Sequence, residues 1–394
     1  MKVLIFRKEN LLKPVGGPNG YLFNLKKGMD ASSSHDVEIS FLPSGFENKT
    51  VKNKAKQSKS LFVKKMLSFY RRYKHIRRML SCLGKCYKSP VKLTDFEIIH
   101  FHTTMDMYGV RKELEQYRGK VILTSHSPQP LSNEIIDGCS KFEKFLFGKR
   151  LSRLIQMDEY AFKHADYIVF PCEFADVPYL HAWPEYQKIK NEKIKQYRYL
   201  LTGTVAAQAK KSRLQVRKEF GIPEDAFLIS YVGRHNEIKG YDKLKEICVE
   251  YLDINPNAYV IVAGNAGPLF PPKHSRWIEV GWTNDPHSII AASDVFVLPN
   301  KETYFDLVLL EVLSLGKCVI ASRTGGNKYF EKYGSDAIKL YSSQEECLEL
   351  IDANSKITEE KRAELEYQTK EIFEKDYTTE QFAKNYINLI KHLD

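Results

Sequence analysis

Short, mostly apolar runs alternate along almost the whole chain with longer stretches of helical spacing. Residues 2–6, 37–42, 97–101, 121–124, 167–170, 227–232, 259–263, 295–298 and 318–322 are such runs, rich in Val, Ile, Leu and aromatic side chains. Runs without polar alternation predict parallel strands covered on both faces. Strands alternating with helices through both halves predict an α/β chain of two doubly wound, Rossmann-like domains facing each other across a cleft. A chain of 394 residues is long enough for two such cores.

The stretch 294–316, DVFVLPNKETYFDLVLLEVLSLG, shows the pattern most fully. Val295–Leu298 is stopped by Pro299 and Asn300, and a polar turn follows from Lys301 to Asp306. Leu307, Leu310, Val312 and Leu315 then take up helical spacing, and Gly316 falls where a left-handed cap would end the helix. This helix is apolar almost all round, which predicts burial, yet Glu311 sits in its middle. A buried carboxylate needs hydrogen-bond donors. A hydroxyl-rich ligand such as a ribose would supply them; a structural Glu satisfied at a partly exposed edge is the other reading.

Other strand ends carry chemistry too. Gly16, Gly17 and Gly20 follow the first strand and open a helix near Tyr21. Such a turn lets backbone N–H groups approach a phosphate or sugar, although Gly-Gly-Pro-Asn-Gly is also simply a good turn. Two strands end at His102 and at Ser125-His126-Ser127, the carboxyl edge where open α/β sheets bind ligands. Arg234 and Lys239 flank the turn after 227–232, with Lys239-Gly240 just before a helix. Two cations there form a clamp for a diphosphate, or are solvated as loop cations usually are.

Charge changes one part of the picture. The net charge is +11, but residues 49–92 alone hold fifteen Lys or Arg and no acid. Residues 49–60 predict a polar loop, and 61–83 an amphipathic helix with Leu61, Met66, Phe69, Ile76, Leu80 and Leu83 as its apolar stripe. A basic helix of this kind suits the headgroup region of an anionic membrane; a domain helix with one solvated face is the alternative. No nucleic-acid recognition signature accompanies it, so no nucleic-acid partner is expected. Seven scattered cysteines form no zinc pattern, Cys82 and Cys86 having no second pair. The N-terminal apolar run is too short for a signal peptide, and no stretch is long enough to span a bilayer.

These motifs resemble the retaining glycosyltransferases of the GT-B fold, sequence family four, the bacterial group 1 nucleotide-sugar enzymes. The resemblance is strongest over 227–330 and weakest over 40–95 and 184–216. There a Pro-ended strand is followed by Glu, seven residues and Glu. Glu311 fits the second, which holds the ribose. Strict spacing puts the first at Thr303, with Glu302 one residue early, and both stay open. The resemblance further implies Arg234 and Lys239 as the phosphate clamp and Leu307 beside the donor. Gly281 and Trp282 would lie against the nucleobase, and Gly16 and Gly17 near the donor. It places His126 near the reacting sugar carbon, with His102 behind it. Cys318 stands where the family usually has Pro.

By the same resemblance, Thr202-Gly203 marks the crossing between domains. An acceptor-binding domain at 1–202, a donor-binding domain at 203–370, and a terminal helix at 371–394 returning to the first domain are expected. No Asp-x-Asp occurs in the sequence, so no metal and no cofactor are expected, and a UDP-sugar is favoured over a GDP-sugar as donor. The implied activity is retaining transfer of a sugar to a lipid-linked glycan in bacterial surface polysaccharide synthesis. The implied place is the cytoplasm, peripheral on the inner face of the membrane. A GT-B sugar-nucleotide epimerase and a non-catalytic partner subunit are the alternatives.

Overall fold

The computed structural model describes residues 1–8, 12–14, 17–32, 36–43 and 61–393. Gly16 and the polar run 49–60 lie outside the described residues, as do the side chains of 61–65, 68 and 82. Two compact units emerge, one of residues 1–22, 34–170 and 179–198, the other of 23–33, 171–178 and 199–394.

The first unit holds a six-stranded sheet made of β1 (Lys2–Phe6), β2 (Glu38–Phe41), β3 (Ile98–Phe101), β4 (Lys120–Thr124), β5 (Tyr167–Phe170) and β6 (Tyr197–Tyr199), ordered β2-β1-β3-β4-β5-β6. The pairings from β2 through β5 are parallel. Every residue of β3 and β5 is buried, as an unalternating apolar run requires. The Leu61–Gly84 helix belongs to this unit, and its apolar stripe is divided. Ile76 is buried against Cys139, Leu151, Leu154 and Met157, with Leu80 and Leu83 beside it, whereas Met66 and Phe69 remain exposed. The later half of this segment thus packs as a domain helix.

The second unit repeats the design. Its strands are β7 (Phe227–Val232), β8 (Ala258–Ala263), β9 (Trp277–Gly281), β10 (Val295–Leu298), β11 (Cys318–Ser322) and β12 (Ile338–Tyr341), all parallel, in the order β12-β11-β10-β7-β8-β9. Val295, Val297, Ile229, Val260 and Ile320 meet the helix Tyr241–Ile254 in one core. Under the amino end of the sheet, Arg217 is fully buried and pairs with Asp294 at 3.0 Å. Its Nη1 group donates to the carbonyls of Pro223, Glu224 and Ala226, so most of the buried charge faces acceptors.

The terminal helix Thr379–Lys391 packs within this unit. It meets the later part of the Gly17–Ala31 helix, where a Cβ at Gly28 would lie 2.0 Å from the Thr379 carbonyl. Asn24 of the same segment donates to Thr204 Oγ1 at 3.1 Å.

Candidate functional site

In the first unit the parallel register carries histidines to the carboxyl edge. His100 Nε2 lies 2.8 Å from Thr124 Oγ1, joining β3 to β4. Beyond it, His102 Nδ1 is 2.8 Å from His126 Nε2 with the rings stacked, and Tyr21 stands edge-on to His126 at 4.6 Å. Burial lowers the pKa of His100 to about 3. Burial also holds His102 and His126 well below the ordinary imidazole value, with the Arg7 cation adding to it. Both rings are therefore neutral at pH 7, and one N–H is shared between them. Among the described residues His102 Nε2 is buried without a hydrogen-bond partner. A bare acceptor there costs less than an orphaned N–H. With the shared proton on His102 Nδ1, His126 accepts at Nε2 and carries its own proton on Nδ1. Gly17 begins the neighbouring helix, and a Cβ there would meet nothing within 4 Å.

In the second unit the loop after β7 docks on the turn after β10. Gly240 has φ +67°, and a Cβ on it would come within 1.6 Å of the Pro299 carbonyl oxygen, so only glycine fits. Lys301 N–H donates to the Ile238 carbonyl at 3.0 Å and closes the contact. Lys239 is thereby held over the turn, where its Nζ lies 2.5 Å from Asp306 Oδ1. Asn300, 1% exposed, donates from Nδ2 to the other carboxylate oxygen of Asp306. Arg234, in the same loop, is exposed, and among the described residues its guanidinium forms no ion pair.

Thr303 and Glu302 separate clearly. Thr303 is 2% exposed, and its Oγ1 has no hydrogen-bond partner among the described residues. Its carbonyl accepts from Gly326 N–H at 3.2 Å. Glu302 is only partly buried. Leu307 opens the Leu307–Ser314 helix, half-buried, and Gly316 closes it at φ +74°, as its spacing predicts. Of the two readings of Glu311, buried in the helix or satisfied at a partly exposed edge, the structure shows the edge. Glu311 is 30% exposed there and lies 3.5 Å from His287 Nε2. Its hydrogen bond raises the His287 pKa above the ordinary value. Gly281 has φ +73°, and Trp282 beside it is 71% exposed.

The sequence reading missed Asp306, Asn300 and His287. Asp306 had a signal, an acid directly before an apolar helical run, which is the N-cap position. His287, in the Pro286–Ala292 helix, had none, because its partner is 24 residues away on another helix.

Two six-stranded parallel sheets, each with its chemistry-bearing residues at the carboxyl edge, make this a two-domain α/β protein of the GT-B fold. Anabaena HepE, solved with UDP and glucose, shares the fold over 100% of both chains with a TM-score of 0.61 at 13% identity. Residues 212–372 match the family of Glycosyl transferases group 1. Over 126 residues the chain is 30% identical to the D-inositol 3-phosphate glycosyltransferase of Corynebacterium efficiens, covering 28% of this chain and 30% of that protein. Over 185 residues it is 28% identical to the O-antigen biosynthesis glycosyltransferase WclY of Escherichia coli, covering 45% and 50%. The chain thus spans half or less of the length of these two relatives.

Proposed function

We propose that the chain is a retaining glycosyltransferase that moves a sugar from a nucleotide diphosphate, preferably UDP, to a hydroxyl of a lipid-linked glycan. The observation that carries this reading is the polar cluster where the β7 loop meets the β10 turn. Lys239 is positioned there by a glycine contact, with the exposed Arg234 in the same loop. The match of residues 212–372 to the group 1 family and the UDP-bound HepE neighbour support it.

In this reading Arg234 and Lys239 supply the positive charge that a divalent ion supplies in Asp-x-Asp enzymes. Glu311 accepts from the ribose hydroxyls, and Leu307, Gly281 and Trp282 border the nucleotide. Thr303 Oγ1 takes a donor-sugar hydroxyl, with Glu302 beside it. The bond from the anomeric carbon to the leaving phosphate oxygen breaks first, and positive charge grows on the ring. The acceptor oxygen then bonds to that carbon from the same face while the departing phosphate takes its proton, so configuration is retained. Fixed cations on the departing diphosphate lower this barrier, each such partner contributing about 2–4 kcal/mol. His126 positions the sugar through Nδ1–H, and His102 fixes its tautomer. Gly17 belongs to the same neighbourhood on the first unit.

A lipid-linked acceptor places the protein on the inner face of the cell membrane, in bacterial surface polysaccharide synthesis, and fits the basic character of 49–92. The test is a thermal-shift screen of sugar nucleotides with and without EDTA, followed by transfer assays on the donor that binds. Stabilisation by one UDP-sugar, unchanged by EDTA, is expected. Stabilisation by none, or only with a divalent ion present, overturns the reading.

A further inference from the structure

The first unit carries an apolar surface that the sequence reading did not single out. The helix Lys141–Leu151, KFEKFLFGKRL, buries Glu143 and Leu151 and packs Phe147 on the core. On its opposite side Phe142, Phe145 and Leu146 are 59%, 85% and 48% exposed. Their spacing of three and four residues makes them one stripe. The Leu61–Gly84 helix extends it: Phe69 lies 6.2 Å from Phe142, and Met66 and Tyr70 are exposed beside it. Solvent-facing phenylalanines at this density are unusual on a surface with no partner.

Two features fix this surface in place. Arg72 Nε meets Glu143 Oε1 at 2.9 Å, and Arg72 Nη2 donates to the Gly138 carbonyl. Ser140 and Glu143 form a capping box that starts the second helix. The hydrogen bond from Arg72 pulls the Glu143 pKa down to about 2, so the latch stays closed at any physiological pH. The aromatic face is therefore a fixed platform of two clamped helices.

Charge decides what it fits. Around the stripe stand Lys141, Lys144, Lys149 and Arg150 from one helix and Arg71, Lys74, Arg77 and Arg78 from the other, all exposed. The only acid in either helix is Glu143, which is buried in the latch. Asp137, paired with Lys144 at 3.6 Å, is the acid at the rim. An apolar ridge flanked by cations matches the acyl boundary and headgroups of an anionic bilayer. No helix among the described residues is long and apolar enough to cross a membrane, so contact through this platform would be interfacial.

We propose that the platform of Phe142, Phe145, Leu146 and Phe69 is the membrane-docking surface of this protein, with Phe145 as its deepest residue. The proposal rests on the reading of a lipid-linked acceptor and adds to it a defined site. It assigns insertion to a helix outside the basic segment 49–92.

The test uses the full chain and sedimentation with vesicles, phosphatidylcholine mixed with phosphatidylglycerol against phosphatidylcholine alone. The wild type should bind the anionic vesicles and release with salt. F142S/F145S should bind them far more weakly, by about tenfold for each phenylalanine lost from the bilayer, with an unchanged melting temperature and unchanged sugar-nucleotide binding. F145W should retain binding and be quenched by brominated acyl chains. If F142S/F145S binds like the wild type, the basic segment alone recruits the protein and the platform proposal falls. If the wild type binds no vesicle, both the platform and the membrane reading fall, while the sugar-nucleotide screen still judges the transferase reading. If light scattering shows a dimer that F142S/F145S splits, the face is a contact between copies and the proposal is overturned.

Discussion

Lys239 Nζ and Asp306 Oδ1 are 2.5 Å apart, although 67 residues separate them in sequence. The cation assigned to a donor diphosphate is thus already neutralised by a carboxylate at the head of the Leu307–Ser314 helix. A diphosphate arriving there meets Asp306 as a competitor for Lys239 and as a like charge. D306N keeps a polar side chain on Asn300 while removing that charge. UDP should bind it several-fold more tightly, by about 1 kcal/mol for one partly buried charge contact removed. K239A should lose most turnover and weaken UDP binding while its melting temperature stays near wild type. Calorimetry with UDP reads both, and equal affinities in all three proteins would detach this pair from the donor.

Gly240 makes the Lys239 position possible, and its contact with the Pro299 carbonyl leaves no room for a methyl group. G240A must both strain a left-handed backbone and separate two turns. A loss of stability of about 1–3 kcal/mol is expected, together with a loss of UDP affinity like that of K239A. Chemical denaturation and calorimetry on the same sample check the two effects.

The histidines of the two units respond to pH in opposite directions. His100, His102 and His126 have pKa values lowered by burial, so the unfolded chain takes up protons first. Their contribution is complete above the unfolded value of about 6.5 and is lost as pH falls below it. His287 is raised by its hydrogen bond to Glu311. Its contribution is complete below about 6.5 and is lost as pH rises through the higher folded value. E311Q should therefore abolish a stabilisation seen at pH 6 and have little effect on melting at pH 9. H102F should flatten part of the acid-side loss and lower turnover without weakening UDP binding, because His102 acts through His126. Melting curves from pH 5 to 9 measure both.

Arg217 and Asp294 form a buried pair on which a third group also depends, since Leu228 N–H donates to Asp294 Oδ2 at 2.7 Å. D294A leaves a guanidinium in the core without its counter-ion. A loss of about 3–5 kcal/mol is expected. D294N, which keeps the acceptor for Leu228 N–H, should recover part of it.

The strands were legible because parallel sheets are covered on both faces, and a run such as Val295–Leu298 has no polar residue to obscure it. The short strand Ile338–Tyr341 and the helix Glu359–Asp376 were not singled out; Lys339 interrupts the first and charges dominate the second. Within the candidate site, Arg234, Lys239 and Glu311 stood out by order along the chain, since each follows a strand end. Their partners did not. Asp306 and His287 acquire meaning only when strands distant in sequence lie side by side. Glu311 lies at a partly exposed edge, as one of its two sequence readings has it, because a helix apolar on most sides can still have one edge in solvent. The stripe of Leu61–Gly84 divides, its later half packing with Cys139, Leu154 and Met157.

The backbone seam between Gly240 and Pro299 also constrains any redesign. Loop 234–240 and turn 299–306 cannot be exchanged one at a time for segments from other proteins, since each is the mould in which the other sets. A chimaera that imports only one of them would inherit a cation without its seat. Libraries aimed at a new substrate would have to carry the two segments as a single cassette.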